Sequence, residues 1–290
     1  MKAAPFTLHT PGTTEDAVRL LAETGEEGGL VLAGGQSLGP MLALRVAYPT
    51  DLIDINGIEE LGRLEVVDNA LVIGATVRHA RFHGLTEPAP TAALLARVVR
   101  DIAHYPIRQR GTFCGSIAHA DPSSEWCLVA VTLGAEVRLL SATGERVVPV
   151  DAFIEGGMMT TRAPEELLRA VHLPCLPEGA QFGFYEFNRR AGDFALGMAL
   201  ACYTVADGVI ADARVGIGGI EDKPRRLSEV EEALNGKAPT AETFAAAAAL
   251  VTDLVEPMDD AATPATYRRS ISAVVVRRAL EASIAKSTET

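Results

Sequence analysis

The chain has 290 residues, 48% of them hydrophobic and 22% charged, and a formal net charge of −12. That length suits two domains better than one, and the balance of residue types excludes a disordered chain. The acidity, with no basic stripe to offset it, excludes a nucleic-acid partner. The longest uncharged, mostly apolar run, residues 194–206, falls short of the roughly 20 residues a transmembrane helix needs.

The first residues, 1–6, lack the charged-then-apolar pattern of a secretory signal, so a cytoplasmic location is expected. Residues 29–33 read as a short strand running into Gly34-Gly35. Met41, Leu42, Leu44 and Val46 follow as a short helix that Pro49 stops, and residues 52–55 as a second strand closed by Asn56-Gly57. Residues 64–75 read as a hairpin turning at Asp68-Asn69. Leu94, Leu95, Val98, Val99 and Ile102 recur at helical spacing over 91–103. Beyond Gly111 and Gly115, Asp121-Pro122 predicts an N-cap and first helical position, with the helix running through Trp126 and Val131. Strands are expected over 136–140 and 146–148.

The stretch 174–179, Pro-Cys-Leu-Pro-Glu-Gly, interrupts any regular element and is the expected domain boundary, giving domains 1–175 (subdomains about 1–58 and 59–175) and 176–290. Strands over 181–188, 195–205 and 209–217, then helices from Leu227, predict a small α+β domain. The alanine run 245–249 is a helix former with no chemistry attached.

Two glycine-centred turns carry the chemistry. The first is Val31-Leu32-Ala33-Gly34-Gly35-Gln36-Ser37-Leu38. The second is Gly111-Thr112-Phe113-Cys114-Gly115-Ser116, leading into Ala118-His119-Ala120-Asp121-Pro122. Glycine brings main-chain N–H groups close to an anion, so the two turns together can grip the halves of a diphosphate. The hydroxyls of Thr112 and Ser116 and exposed N–H groups at Gly115 add donors. A single such turn is equally well a tight strand-to-helix connection. The four cysteines contain no CxxC pair, which argues against a zinc site, a disulfide framework or an iron–sulphur cluster in this chain. His79 and His83 have i,i+4 spacing, which an exposed helix face explains without a metal.

Four motifs in order, Ala-Gly-Gly-Gln-Ser-Leu at 33–38, Ile-Arg-Gln-Arg-Gly-Thr-Phe-Cys-Gly-Ser at 107–116, Ala-His-Ala-Asp-Pro at 118–122 and Phe-Asn-Arg-Arg-Ala-Gly-Asp-Phe-Ala at 187–195, resemble the FAD-binding medium subunit of the xanthine dehydrogenase and carbon monoxide dehydrogenase family. The resemblance implies an α+β fold: a two-subdomain FAD domain of the vanillyl-alcohol oxidase and p-cresol methylhydroxylase type, then a small α+β C-terminal domain. It implies FAD bound by Val31, Leu32, Ala33, Gly34, Gly35, Gln36, Ser37 and Leu38 on one side and by Thr112, Cys114, Gly115 and Ser116 on the other. By the same resemblance Ile102 packs near the adenine, His119 and Asp121 line the site, Glu125 meets the ribityl or ribose hydroxyls, the Leu168 backbone lies near the flavin ring, and Tyr185 approaches that ring. Core packing is the plain alternative for Ile102 and Leu168, and for alternate aromatics among Phe182, Phe184, Tyr185 and Phe187. Arg189, Arg190 and Asp193 form a charged corner suited to a solvated turn, a subunit interface or the reduced flavin.

The sequence departs from the commonest family pattern at Gln36, where histidine often stands, at Cys114 in place of glycine and at Ser116 in place of asparagine. None removes a backbone donor. With Gln36 in that place the FAD is expected to be non-covalent, and Cys114 has no neighbouring cysteine with which to be redox active. The function implied is an oxidoreductase subunit that takes electrons from a small iron–sulphur subunit, in a complex whose large subunit carries molybdopterin, and passes them to NAD or another acceptor. A heterotrimer that dimerises is the implied assembly. The alternative is a stand-alone flavin oxidoreductase acting on its own small substrate, and a third reading is a scaffold that has lost FAD.

Overall fold

The computed structural model describes residues 2–261 and 263–284. The first strand, β1 (Thr7–His9), leads into helix α1 (Thr14–Thr24), whose Thr13 side chain caps the Asp16 N–H and whose Ala17, Val18 and Leu21 turn inward. Strand β2 (Leu30–Leu32), helix α2 (Leu38–Leu44) and strand β3 (Asp51–Asp54) follow, and the three strands form a parallel sheet in the order β1-β3-β2. Helix α2 ends at Arg45, whose left-handed backbone (φ 57°) sends its N–H back to the Leu42 and Met41 carbonyls, so the stop precedes Pro49.

Strands β4 (Leu64–Val67) and β5 (Ala70–Gly74) pair antiparallel across Asp68 and Asn69, both at positive φ, as a two-residue hairpin demands. Helix α3 (Thr91–Val98) stops short of the expected residue 103, where Ala103 takes φ 42°. Two short helices, α4 (Tyr105–Arg108) and α5 (Phe113–His119), bring the chain to α6 (Glu125–Leu133). Here the expected start moves. Ser124 caps α6 by accepting from the Cys127 N–H, while the Asp121 carboxylate accepts from the Ser123 N–H in a turn ahead of the helix. Everything in α6 from Trp126 to Leu133 is buried.

Strands β6 (Glu136–Ser141) and β7 (Gly144–Pro149), helix α7 (Val150–Phe153), the ribbon β8 (Ile154–Gly156) and β9 (Met159–Thr160), and strand β10 (Leu167–Pro174) complete this half. A five-stranded antiparallel sheet runs β4-β5-β10-β6-β7, with a register shift in β10 between Leu168 and Ala170. Beyond it, β11 (Gln181–Phe187), β12 (Gly197–Ala206), β13 (Val209–Gly218) and β14 (Arg225–Arg226) form a separate antiparallel sheet in that order. Helices α8 (Ser228–Leu234), α9 (Ala241–Ala249), α10 (Val251–Leu254) and α11 (Ala265–Ile284) enclose a second hydrophobic core against it. Helix α6 packs on β13 so closely that a Cβ on Gly216 would lie 1.9 Å from the Thr132 hydroxyl. No helix among the described residues is long and apolar enough to cross a membrane.

Candidate functional site

A cleft of about 570 Å³ opens between the parallel sheet, the five-stranded sheet and the turn before β12. All eight residues 31–38 line it, as do Thr112, Cys114, Gly115 and Ser116 of the second turn, together with Ile102, His119, Asp121, Glu125 and Leu168. The volume is within the range of small-molecule and cofactor sites. The two turns touch. A Cβ on Gly34 would meet the Arg110 carbonyl oxygen at 2.5 Å and the Gly111 Cα at 2.7 Å, so only glycine allows this approach. Gly35 has φ 69°, and the N–H groups of Gly34, Gly35, Gln36 and Ser37 donate to no acceptor among the described residues. Four successive amides without protein partners beside a cleft are a ready anion cradle.

Sequence reasoning missed the strap that holds this geometry. The Asn56 side chain donates to the Ala33 carbonyl at 2.8 Å and accepts from the Arg78 guanidinium, which donates through its other arm to the Arg110 carbonyl. One asparagine and one arginine thus tie the first turn to the second. Asn56 was visible only as half of an Asn-Gly turn, and Arg78 carried no signal. Gln36, expected to face the ligand, turns its amide back onto the Gly34 carbonyl at 3.0 Å.

The second turn differs from expectation at Gly115, whose N–H is not exposed for a ligand: it donates at 3.0 Å to the hydroxyl of Thr112, the N-cap of α5. His79 is not on an exposed helix face either. It is 5% exposed, in a 3₁₀ turn rather than an α-helix, and accepts at Nδ1 from the Trp126 indole N–H at 2.9 Å. An indole nitrogen only donates, so the His79 proton resides on Nε2. Burial, reinforced by Arg78 and Arg108, lowers its pKa to about 3. Its ring lies against Gly111, where a Cβ would come within 2.5 Å of Nε2. Phe82, Phe113 and Trp126 pack beneath it with ring centroids 5.0 to 5.8 Å apart.

Cys114 lies at the cleft's edge but is 2% exposed, its thiol 3.2 Å from the Ile73 carbonyl, and burial pushes its pKa far up. It is a neutral thiol. Two acids, Asp121 and Glu125, also line the cleft, and Glu186 and Asp101 line a second cavity. Burial, then the Glu186 carboxylate and more weakly Asp101 and Asp121, hold the Glu125 carboxyl well above the usual range, against its own backbone N–H. Burial and Asp101 push Glu186 up to about 7, opposed by Asn188 and Arg97. Asn188 donates to one Glu186 oxygen at 3.0 Å, and the other has no hydrogen-bond partner.

Tyr185 lies away from the other site residues. It lines a second cavity of about 390 Å³ with Glu186, His104 and Arg108, and Arg278 stacks 4.9 Å over its ring while also donating to its hydroxyl. Its neighbours Phe182 and Phe184 are core. Gly192, Asp193 and Phe194 reach the main cleft, Phe194 as a 74% exposed ring at its mouth, and Arg189 donates to the Thr263 hydroxyl at 3.3 Å. Among the described residues no group of His, Cys, Asp or Glu is placed to hold a metal ion.

Unpaired amides lining a cleft of this size, between a mixed α/β half and a smaller α+β half, are the features a nucleotide-cofactor protein requires. Residues 4–176 match the family described as the FAD binding domain in molybdopterin dehydrogenase, and residues 182–283 the CO dehydrogenase flavoprotein C-terminal domain. The nicotine 6-hydroxylase medium subunit of Paenarthrobacter nicotinovorans is 34% identical over 97% of this chain and 98% of its own length. The carbon monoxide dehydrogenase medium chain of Hydrogenophaga pseudoflava is 32% identical over 97% and 98%. A chain in the crystal structure of quinoline 2-oxidoreductase from Pseudomonas putida 86 superposes with a TM-score of 0.91 at 32% identity, covering 99% of both chains. The chain belongs to the FAD-binding medium subunits of the molybdenum hydroxylases, and it is the flavoprotein component of an oxidoreductase complex.

Proposed function

We propose that the cleft holds one FAD non-covalently and that the chain relays electrons from a small iron–sulphur subunit to NAD or another acceptor. A large molybdopterin subunit completes a heterotrimer that dimerises. The observation that carries this reading is the row of amides from Gly34 to Ser37 without partners among the described residues, set against the second glycine turn in the lining of a cofactor-sized cleft. When bound, FAD supplies the exchange between one-electron and two-electron carriers.

The chain's own residues bind and orient. The amides of the first turn neutralise the diphosphate, with the Cys114 and Ser116 region opposite. Ile102 packs near the adenine, and Glu125, whose carboxyl burial holds well above the usual range, meets a ribityl or ribose hydroxyl. The Leu168 backbone, next to the register shift in β10, is assigned to the approach to the ring. Tyr185 is assigned to the approach to that ring from the second cavity. The division into domains 1–175 and 176–290, the first with subdomains 1–58 and 59–175, is part of the same proposal.

The test is co-purification followed by rapid reduction. The tagged chain is expected to bring down a large molybdopterin subunit and a small iron–sulphur subunit, and its flavin to bleach after the cluster when the complex meets substrate. Turnover of a small substrate by the isolated chain would contradict the relay.

A further inference from the structure

Arg162 stands just before β10 and lines the cleft, where it is the one arginine or lysine among the described lining residues. It is half-buried, and burial acts against its charge while Glu166 and Glu165 support it. Only one of its nitrogens is used: Nη1 donates to the carbonyls of Ala163 at 2.9 Å, Pro164 at 3.2 Å and Glu166 at 2.8 Å. Nε and Nη2 donate to no acceptor among the described residues. Glu166, the stronger of the two carboxylates that support its charge, is already committed, its Oε2 accepting from Arg146 Nη2 at 2.8 Å and from the Ala163 N–H at 2.7 Å, while Arg146 Nε donates to its other oxygen. Arg162 therefore carries a partly desolvated charge that no carboxylate among the described residues meets by a direct hydrogen bond, which leaves its outer guanidinium edge open to an anion in the cleft.

We infer that Arg162 is the counter-charge for an anionic group of the ligand, its unused guanidinium edge pairing with a phosphate or with the negative charge of a reduced flavin ring. The inference rests on the reading that the cleft holds FAD. A planar fork with two free N–H arms suits either anion, and such charge-assisted pairs are about twice as strong as neutral hydrogen bonds.

The experiment titrates the full-length apo chain and its R162M variant with FAD and with ADP, and measures the flavin midpoint potential of each. Equal weakening of FAD and ADP by about tenfold or more, with a shallower salt dependence in the variant, supports pairing with the diphosphate. Unchanged ADP binding with a lowered midpoint potential supports pairing with the reduced ring. Unchanged affinities together with an unchanged potential overturn the inference, while a wild-type chain that takes up no FAD refutes the underlying reading instead. Because Nη1 also ties the 163–166 turn, wild-type protein is treated with phenylglyoxal in parallel. Arg162 is expected to be shielded by FAD or by reduced FAD in peptide mass spectra, and equal modification with and without either counts against the pairing even if R162M does not fold.

Discussion

Two glycine-dependent contacts in this molecule look alike in coordinates and do different work. At Gly34 the absent side chain lets one turn touch another and leaves a row of amides unpaired beside a cleft. At Gly183, in β11, it lets α11 settle on the sheet: a Cβ there would lie 1.9 Å from the Ala279 carbonyl oxygen and 2.6 Å from the Ser283 nitrogen. Nearby, the Tyr203 hydroxyl and Ser283 Oγ share a hydrogen bond at 2.7 Å, and Val275, Val276, Ala279 and Leu280 are wholly buried. The first contact leaves backbone donors open at a cleft. The second closes a core. Close approach alone therefore says nothing about ligand binding; the unpaired donors distinguish the two.

Gly183→Val is expected to have the largest effect, destabilising by about 3–5 kcal/mol in urea denaturation because backbone atoms on α11 cannot move aside, while the molecules that still fold retain their FAD affinity. Gly34→Ala is expected to do the reverse, weakening FAD binding by roughly ten- to a hundredfold in a fluorescence titration, about 1.4–2.8 kcal/mol, with a smaller loss of stability. If instead Gly183→Val reduced the affinity and Gly34→Ala only the stability, the contrast between the two contacts would collapse. Asn56→Ala sharpens it from a third side. By cutting the strap between the turns it should cost about 1–2 kcal/mol of stability and also weaken FAD binding, since the Ala33 carbonyl and the Arg78 guanidinium both lose a partner.

Glu186→Gln probes the seam between the two halves. The folded-state pKa of Glu186 is raised to about 7 from an ordinary 4.5, so its contribution to stability is fully present below about pH 4.5 and is lost as pH rises through 7. Wild type should therefore lose on the order of 1–2 kcal/mol between pH 5 and pH 8 that the variant keeps, a difference read from denaturation curves at the two pH values. Equal pH slopes would place Glu186 in a wetter setting than the seam provides.

Elements whose signal lies within a few residues were legible in the sequence. The strands of the C-terminal half, the Asp68-Asn69 hairpin and the paired glycine turns each announce themselves through period-two patterning or turn chemistry. The misplaced details all depend on partners distant in the chain. Asp121 and Ser124 are both capable caps, and tertiary packing of α6 selects the second. His79 looked like surface until Trp126, far along the chain, supplied its hydrogen bond. Gly115 seemed to offer a donor that Thr112 in fact consumes. Tyr185 stands on the strand where the motif puts it, but Arg278 on α11 claims both its ring and its hydroxyl. Arg78 and Arg162 belong to no motif and Asn56 only to a strand-closing turn; the folded chain alone brings Arg162 to the cleft and ties Asn56 and Arg78 to the two glycine turns.

The central claim is that the bare amides of Gly34–Ser37 face a diphosphate. Titrating the full-length apo chain with FAD in the presence of increasing ADP tests it most directly. The account predicts one FAD per chain, displaced competitively by ADP and hardly at all by riboflavin. Uptake that riboflavin displaces and ADP does not, or uptake equally strong in Gly34→Ala, would contradict it.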